Sequence, residues 1–114
     1  MTLIFKIATA TDWSEAERLG AFDGSAHDKA DGFLHFSTAA QLSETLRLYY
    51  AGQDNLVLVA VDAETLGVAL KWEHAPSRGE DFPHLFAPLP LSAVRWTRRL
   101  IRDATGTFTL PSLT

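Results

Sequence analysis

The chain has 114 residues, 46% of them hydrophobic, with 10 Lys and Arg against 14 Asp and Glu for a net charge of −4. That length suits one domain around one core, and the acidic surplus disfavours a general nucleic-acid binder, which needs Lys and Arg to neutralise phosphates. The chain has no cysteine, which excludes disulfides, thiolate catalysis and Cys-based zinc sites.

Taken in chain order, residues 3–8 alternate Leu3, Phe5 and Ile7 with Ile4, Lys6 and Ala8, a strand pattern. Asp12 followed by Glu15 is a capping-box arrangement, after which Trp13, Ala16 and Leu19 share a helical face that Gly20 ends. Residues 21–31 are polar and Gly-containing, hence a loop, with Asp28 and Asp31 in a turn before a strand over residues 33–36. Thr38 with Gln41 repeats the capping-box logic. Leu42, Leu46 and Tyr49 recur at i, i+4 and i+7, which predicts a helix to about Tyr50 that stops at Gly52. The continuous apolar run 55–61 predicts a central strand covered on both faces.

The second half carries no long amphipathic helix. Val68, Leu70 and Trp72 alternate with Ala69, Lys71 and Glu73, a strand after which Glu73 opens a charged loop over 74–81. Pro88 and Pro90 frame a turn before the last long strand, 93–102. Arg98 interrupts the Val94, Trp96, Leu100 face of that strand, so it is expected to bulge there or to open onto a cleft. Trp13, Trp72 and Trp96 are read as core residues, with Trp72 also placed to wall a pocket. Two strand-helix units followed by strands indicate α+β. No window is long and apolar enough to span a membrane and no targeting leader is evident, so a bacterial-type cytoplasmic protein is the expectation.

The chemistry concentrates where the second strand meets its helix. Ser37 and Thr38 fall at a helix N-terminus, where free backbone N–H groups favour an anion. A phosphate or ribose hydroxyl there would meet His35 and Ser37, two residues apart and on one side of an extended strand. The competing readings are a cap for Thr38 and a satisfied core histidine for His35. His27, Asp28, Asp31, Glu73, His74, Glu80, Asp81 and His84 have metal-ligand chemistry, but their spacing matches no metal signature, so a His/carboxylate metal-binding protein is the least favoured reading and no metal ligand is assigned. Dinucleotide-binding, P-loop and nucleophile-elbow motifs are absent. Arg95, Arg98, Arg99 and Arg102 are the one basic concentration, assigned mainly to surface pairing with the acidic excess.

The order Ser25-x-x-Asp28-x-x-Asp31-Gly32-Phe33-Leu34-His35-x-Ser37-Thr38, then Trp72-Glu73, then Phe82-Pro83-His84-Leu85, resembles the bacterial family called domain of unknown function 952 over nearly the whole chain. That family is similar in fold to ADP-ribosyltransferases, in which a split, mostly antiparallel β structure holds NAD in a cleft. The tRNA 2′-phosphotransferases carry a similar His-x-Thr strand. The resemblance implies an ADP-ribosyltransferase-like α+β domain over residues 1–114 with two main helices and NAD or another small nucleotide as ligand. It gives His35 a ribose contact and Ser37 the neighbouring hydroxyl, offers Tyr49 or Tyr50 as a ring to stack on nicotinamide, and offers Glu73 as the catalytic carboxylate. Phe86 stands where the family often has tyrosine after Pro-His-Leu, which removes a hydroxyl donor. The expected site is a cleft lined by His35, Ser37, Glu73 and His84, with Thr38, Asp28, Asp31 and Tyr49 as further ligand contacts. The alternative is a non-catalytic module that binds a small ligand or a protein segment through the same cleft.

Overall fold

A seven-residue strand, β1 (Leu3–Thr9), lies antiparallel to β4 (Leu56–Asp62), and this pair is the spine of the molecule. The structure, a computed structural model, describes residues 1–113. β4 also pairs antiparallel with β8 (Val94–Arg102), and β8 with the short β9 (Phe108–Thr109), giving a sheet of order β1-β4-β8-β9. Every residue of β4 is buried, as a strand covered on both faces requires. Alternation along β1 and β4 separates two cores. Ile4, Ala8, Val57, Val59 and Val61 pack on one side with Trp13, Phe22, Leu34, Phe36 and Leu85. Phe5, Ile7, Leu56, Leu58 and Ala60 pack on the other with Leu42 and Leu46.

The helices follow from local signals, with two corrections. Helix α1 (Ala10–Leu19) is capped by Thr9, whose Oγ1 accepts from the Asp12 backbone N–H at 3.0 Å, so Asp12 is the third helical residue and not the cap. Gly20 closes α1 in the left-handed conformation. The expected loop 21–31 instead holds a two-residue strand (β2, Ala21–Phe22) and a short helix, α2 (Ala26–Asp31). The Ser25 and Asp28 side chains form a reciprocal capping box on α2. Helix α3 (Ala39–Tyr49) begins at a second capping box, Thr38 with Gln41, and ends at Tyr50.

The second half is built on a hairpin. The expected loop 74–81 is too long: β5 (Leu70–Ala75) and β6 (Glu80–Leu85) pair along their whole length, joined by residues 76–79. Residues Ala63–Ala69 before β5 are 3-10 helix, so the strand starts later than Val68. The strand β3 (Leu34–His35) adds to β6, giving the order β3-β6-β5, while β2 pairs with β7 (Leu89–Pro90). Just past β3, Ser37 exchanges both backbone hydrogen bonds with Phe5, at 2.8 and 2.9 Å, which ties the small sheet to the free edge of β1. Among the described residues the architecture is therefore a single α+β domain of three small antiparallel sheets with three α-helices.

Arg98 makes no bulge. The register shift lies between Ala60 and Val61, opposite Trp96 and Val94, so the extra residue is Arg95, whose guanidinium reaches Asp62 at 2.8 Å. Of the three tryptophans only Trp13 is buried. Trp72 is 48% exposed, and Trp96 is half-buried against Phe5 with the Arg98 guanidinium over its ring. Leu19 and Tyr49, read as inward-facing, are exposed. Among the described residues, no helix is long and apolar enough to cross a membrane.

Candidate functional site

Strand alternation on the small sheet sorts its side chains. Leu34 and Leu85 turn into the core, whereas Phe33, His35, His84, Phe86, Lys71 and Glu73 share the opposite face by the period of two and the observed register. His35 and His84 are directly paired across β3 and β6, with ring centroids 5.6 Å apart. Phe33 stacks on His84 at 4.0 Å and touches Phe86 at 5.2 Å, so imidazoles and phenyl rings form one aromatic array.

Carboxylates orient both histidines. His84 Nδ1 lies 2.8 Å from Glu73 Oε1; its Nε2 has no partner among the described residues. His35 Nδ1 lies 2.6 Å from Asp28 Oδ1, and its Nε2 lies 2.8 Å from Asp31 Oδ2. Across the ring of His35, His27 stacks at 4.5 Å, and its Nε2 is 3.6 Å from the same Asp31 oxygen.

Beneath this face sits a feature the sequence reading missed. Lys6 falls on the core side of β1, between Ile4 and Ala8, and its Nζ contacts both Asp28 oxygens at 2.9–3.0 Å with both side chains at most 3% exposed. Asp28 also accepts from the backbone N–H groups of Ser25 and His35. Burial alone would raise the Asp28 carboxyl, but the His35 hydrogen bond, the Lys6 charge and the backbone donor hold it well below the ordinary carboxylate range. Burial lowers the Lys6 ammonium, and the Asp28 charge opposes that only in part. A lysine inside a strand pattern was the one available signal: a charged residue at a position whose neighbours two away on both sides are apolar needs a buried partner.

The other expected site residues lie elsewhere. Ser37 is buried and its hydroxyl bonds Thr45 at 3.1 Å, in a network that includes Arg78; the break in the strand after His35 separates it from the histidine face. Thr38 caps α3, the plainer of the two readings. Tyr49 sits at the far end of α3, ten residues and about 15 Å of helix rise from its start, and is exposed. The structure thus brings Asp28, Asp31, His35, Glu73 and His84 together and leaves Ser37, Thr38 and Tyr49 out of that group. An open groove of about 290 Å³ lies beside the array, lined by Phe33, Phe86, Asp28 and Lys29 among others, and His35, His84 and Glu73 do not line it. The arginines are engaged: Arg95 with Asp62, Arg99 with Asn55 and Arg102 with Asp54.

The sequence signature described as "Protein of unknown function (DUF952)" matches residues 7–97, a span that contains the whole histidine face. The chain belongs to the DUF952 family. Among solved structures, this DUF952 chain is similar to the crystal structure of protein CC0527 from Caulobacter crescentus, at 47% identity and a TM-score of 0.89 over 95% of this chain and 94% of that one. A solution NMR structure of CC0527 aligns with a TM-score of 0.83 at 48% identity, covering 94% of this chain and 91% of that one. No curated protein matches the chain.

Proposed function

We propose that the outer face of the small sheet binds a nucleotide of the NAD or ADP-ribose type, with the base or nicotinamide ring on the Phe33–His84–Phe86 array and a ribose hydroxyl at His84 Nε2, both ring nitrogens of His35 being engaged by Asp28 and Asp31. The observation that carries this reading is the cross-strand pair His35–His84, each ring held by a carboxylate at Nδ1. A carboxylate at Nδ1 fixes the tautomer, so His84 presents Nε2 as an acceptor for a ligand hydroxyl. Phe86, 41% exposed, adds apolar area on which a planar ring can stack. The resemblance of the His35-x-Ser37 strand to that of ADP-ribosyltransferases, a reading of the sequence alone, points to the same ligand class, with Ser37 turned away to Thr45.

Within this reading Glu73 supplies the chemistry. Its Oε1 engages His84, and a carboxylate beside the array would stabilise the positive charge that develops at a ribose carbon as a glycosidic bond breaks. Such a contact acts in the transition state only, whereas His84 would contact the ribose in ground and transition states alike. NAD and ADP-ribose titrations followed by amide NMR test the binding. Localised shifts at residues 33–35 and 84–86, weakened by His84→Ala, are expected; no localised shift at millimolar nucleotide refutes the proposal. With turnover present, Glu73→Gln in a folded protein should lower the chemical rate on the order of 10²-fold with binding kept. Localised binding without turnover would identify a non-catalytic module.

A further inference from the structure

His27 and Asp31 lie four residues apart on α2, hence on one helical face, and β3 brings His35 up against them. One donor atom from each of the three lies within 4.8 Å of the others. Two of those separations are 2.8 Å (His35 Nε2 to Asp31 Oδ2) and 3.6 Å (His27 Nε2 to Asp31 Oδ2). Ligands bound at about 2.0–2.2 Å to a tetrahedral ion stand roughly 3.4 Å apart, so closing on a cation takes two side-chain movements: the exposed His27 ring, now stacked on His35 at an interplanar angle of 18°, rotates to aim its lone pair at the ion, and the Asp31 carboxylate draws back from His35 Nε2.

The hydrogen-bonding pattern around His35 asks for such a cation. A neutral imidazole has one N–H and one lone pair. With the neutral ring's proton placed at Nδ1, toward the buried Asp28 carboxylate beside Lys6, the Nε2 lone pair faces an Asp31 carboxylate oxygen at 2.8 Å; the other tautomer sets a lone pair against Asp28 instead. Two acceptors at that distance repel unless a positive centre lies between them, either a second proton or a metal ion. The second nearby imidazole, His27, and the open solvent side suit the metal. Asp28 behind His35 is then the outer carboxylate of a carboxylate–histidine–metal arrangement, a contact that orients a ligating ring and raises its basicity.

We propose that His27, Asp31 and His35 form a binding site for one divalent transition-metal ion of the zinc class, with Asp28 as the positioning residue behind His35. Two imidazoles and one carboxylate select Zn²⁺, Co²⁺ or Ni²⁺ over Mg²⁺ and Ca²⁺, which prefer all-oxygen sets. Three protein ligands leave at least one coordination position open, the form of a site that takes water or a further ligand and not of a closed structural site. The pattern H-x-x-x-D-x-x-x-H over residues 27–35 becomes a ligand set only because Gly32 and Phe33 turn the chain from helix to strand between the last two ligands. The inference goes beyond the nucleotide reading and does not need it.

The test is calorimetric titration of the full chain with Zn²⁺ alone, together with imidazole ¹⁵N NMR. One-to-one binding is expected, with Nε2 resonances of His27 and His35 moving and that of His84 left in place. His27→Ala and Asp31→Asn each change an exposed side chain and should weaken binding at least about 10-fold, and Asp28→Asn about 10–100-fold where circular dichroism shows the chain folded. His74→Ala, at a separate His–Asp pair with Asp81, should leave the affinity unchanged. No binding by the natural chain, or equal affinity in the His27 and Asp31 variants, overturns the proposal and assigns His35 a second proton instead. Because His27→Ala spares His84 and Glu73 while His84→Ala spares the three ligands, failure of this site and failure of the nucleotide site give different results.

Discussion

Replacing Lys6 by methionine should destabilise the domain by about 3 kcal/mol, a large fraction of the roughly 5–15 kcal/mol that holds a small domain folded. Methionine keeps the length and apolar contacts of the lysine stem but leaves the Asp28 carboxylate, 1% exposed, with no cation. Breaking a buried pair from one side costs about 3–5 kcal/mol, because the remaining charge stays desolvated. The lower end applies here because Asp28 keeps the Ser25 and His35 backbone donors and the His35 ring. Urea unfolding followed by tryptophan fluorescence gives the value, Trp13 being buried in the same core. Combining Lys6→Met with Asp28→Asn should cost less than the sum of the single changes, by about 1.5 kcal/mol or more, since the pair then loses both charges together. A loss under about 1 kcal/mol for Lys6→Met, or strict additivity in the double variant, would refute the view that charge compensation holds this site.

Gly24, at φ 114°, would bring an added Cβ to 2.8 Å from Leu34 and 2.9 Å from Asp28, so Gly24→Ala should lower stability by about 1–3 kcal/mol in a thermal melt; a change within about 0.5 kcal/mol would contradict the close approach. Leu58→Ala empties a wholly buried position in β4 and should cost about 2–5 kcal/mol by denaturant midpoint, a smaller loss implying that the core collapses into the space. The hydrogen bond from Arg95 holds the Asp62 carboxyl below the ordinary range, so its contribution is complete above about pH 4 and is lost as pH falls through the lowered value. Arg95→Ala should therefore flatten the acid limb of a stability–pH profile below about pH 4, and an unchanged limb would disprove the assignment. Thr38→Ala removes the α3 cap and should cost about 1 kcal/mol, read as faster amide exchange in the first turn of α3; unchanged exchange would show that the cap is dispensable.

Elements whose cause lies within a few neighbouring residues were legible in the sequence. The alternation of β1, the apolar run of β4, the Thr38–Gln41 box and the stop at Gly20 all depend on local backbone preference and the side-chain period. The Ser25–Asp28 box was equally local, and reading those residues as turn formers hid helix α2. The His35, Asp28, Asp31, His84 and Glu73 group was foreseen as residues, but its geometry was not. A one-residue change of register between β3 and β6 would separate the two histidines, and nothing within either strand sets that register. The extra residue in β8 is Arg95 and not Arg98 because pairing with β4 decides it. Trp72 lies on β5, the edge strand of the small sheet, and is 48% exposed, a position its own strand pattern does not reveal. Only tertiary structure set Lys6 against Asp28, 22 residues along the chain. A charge inside a strand tells that a partner must exist, while which carboxylate meets it depends on how two sheets pack, a long-range contact that no local pattern encodes.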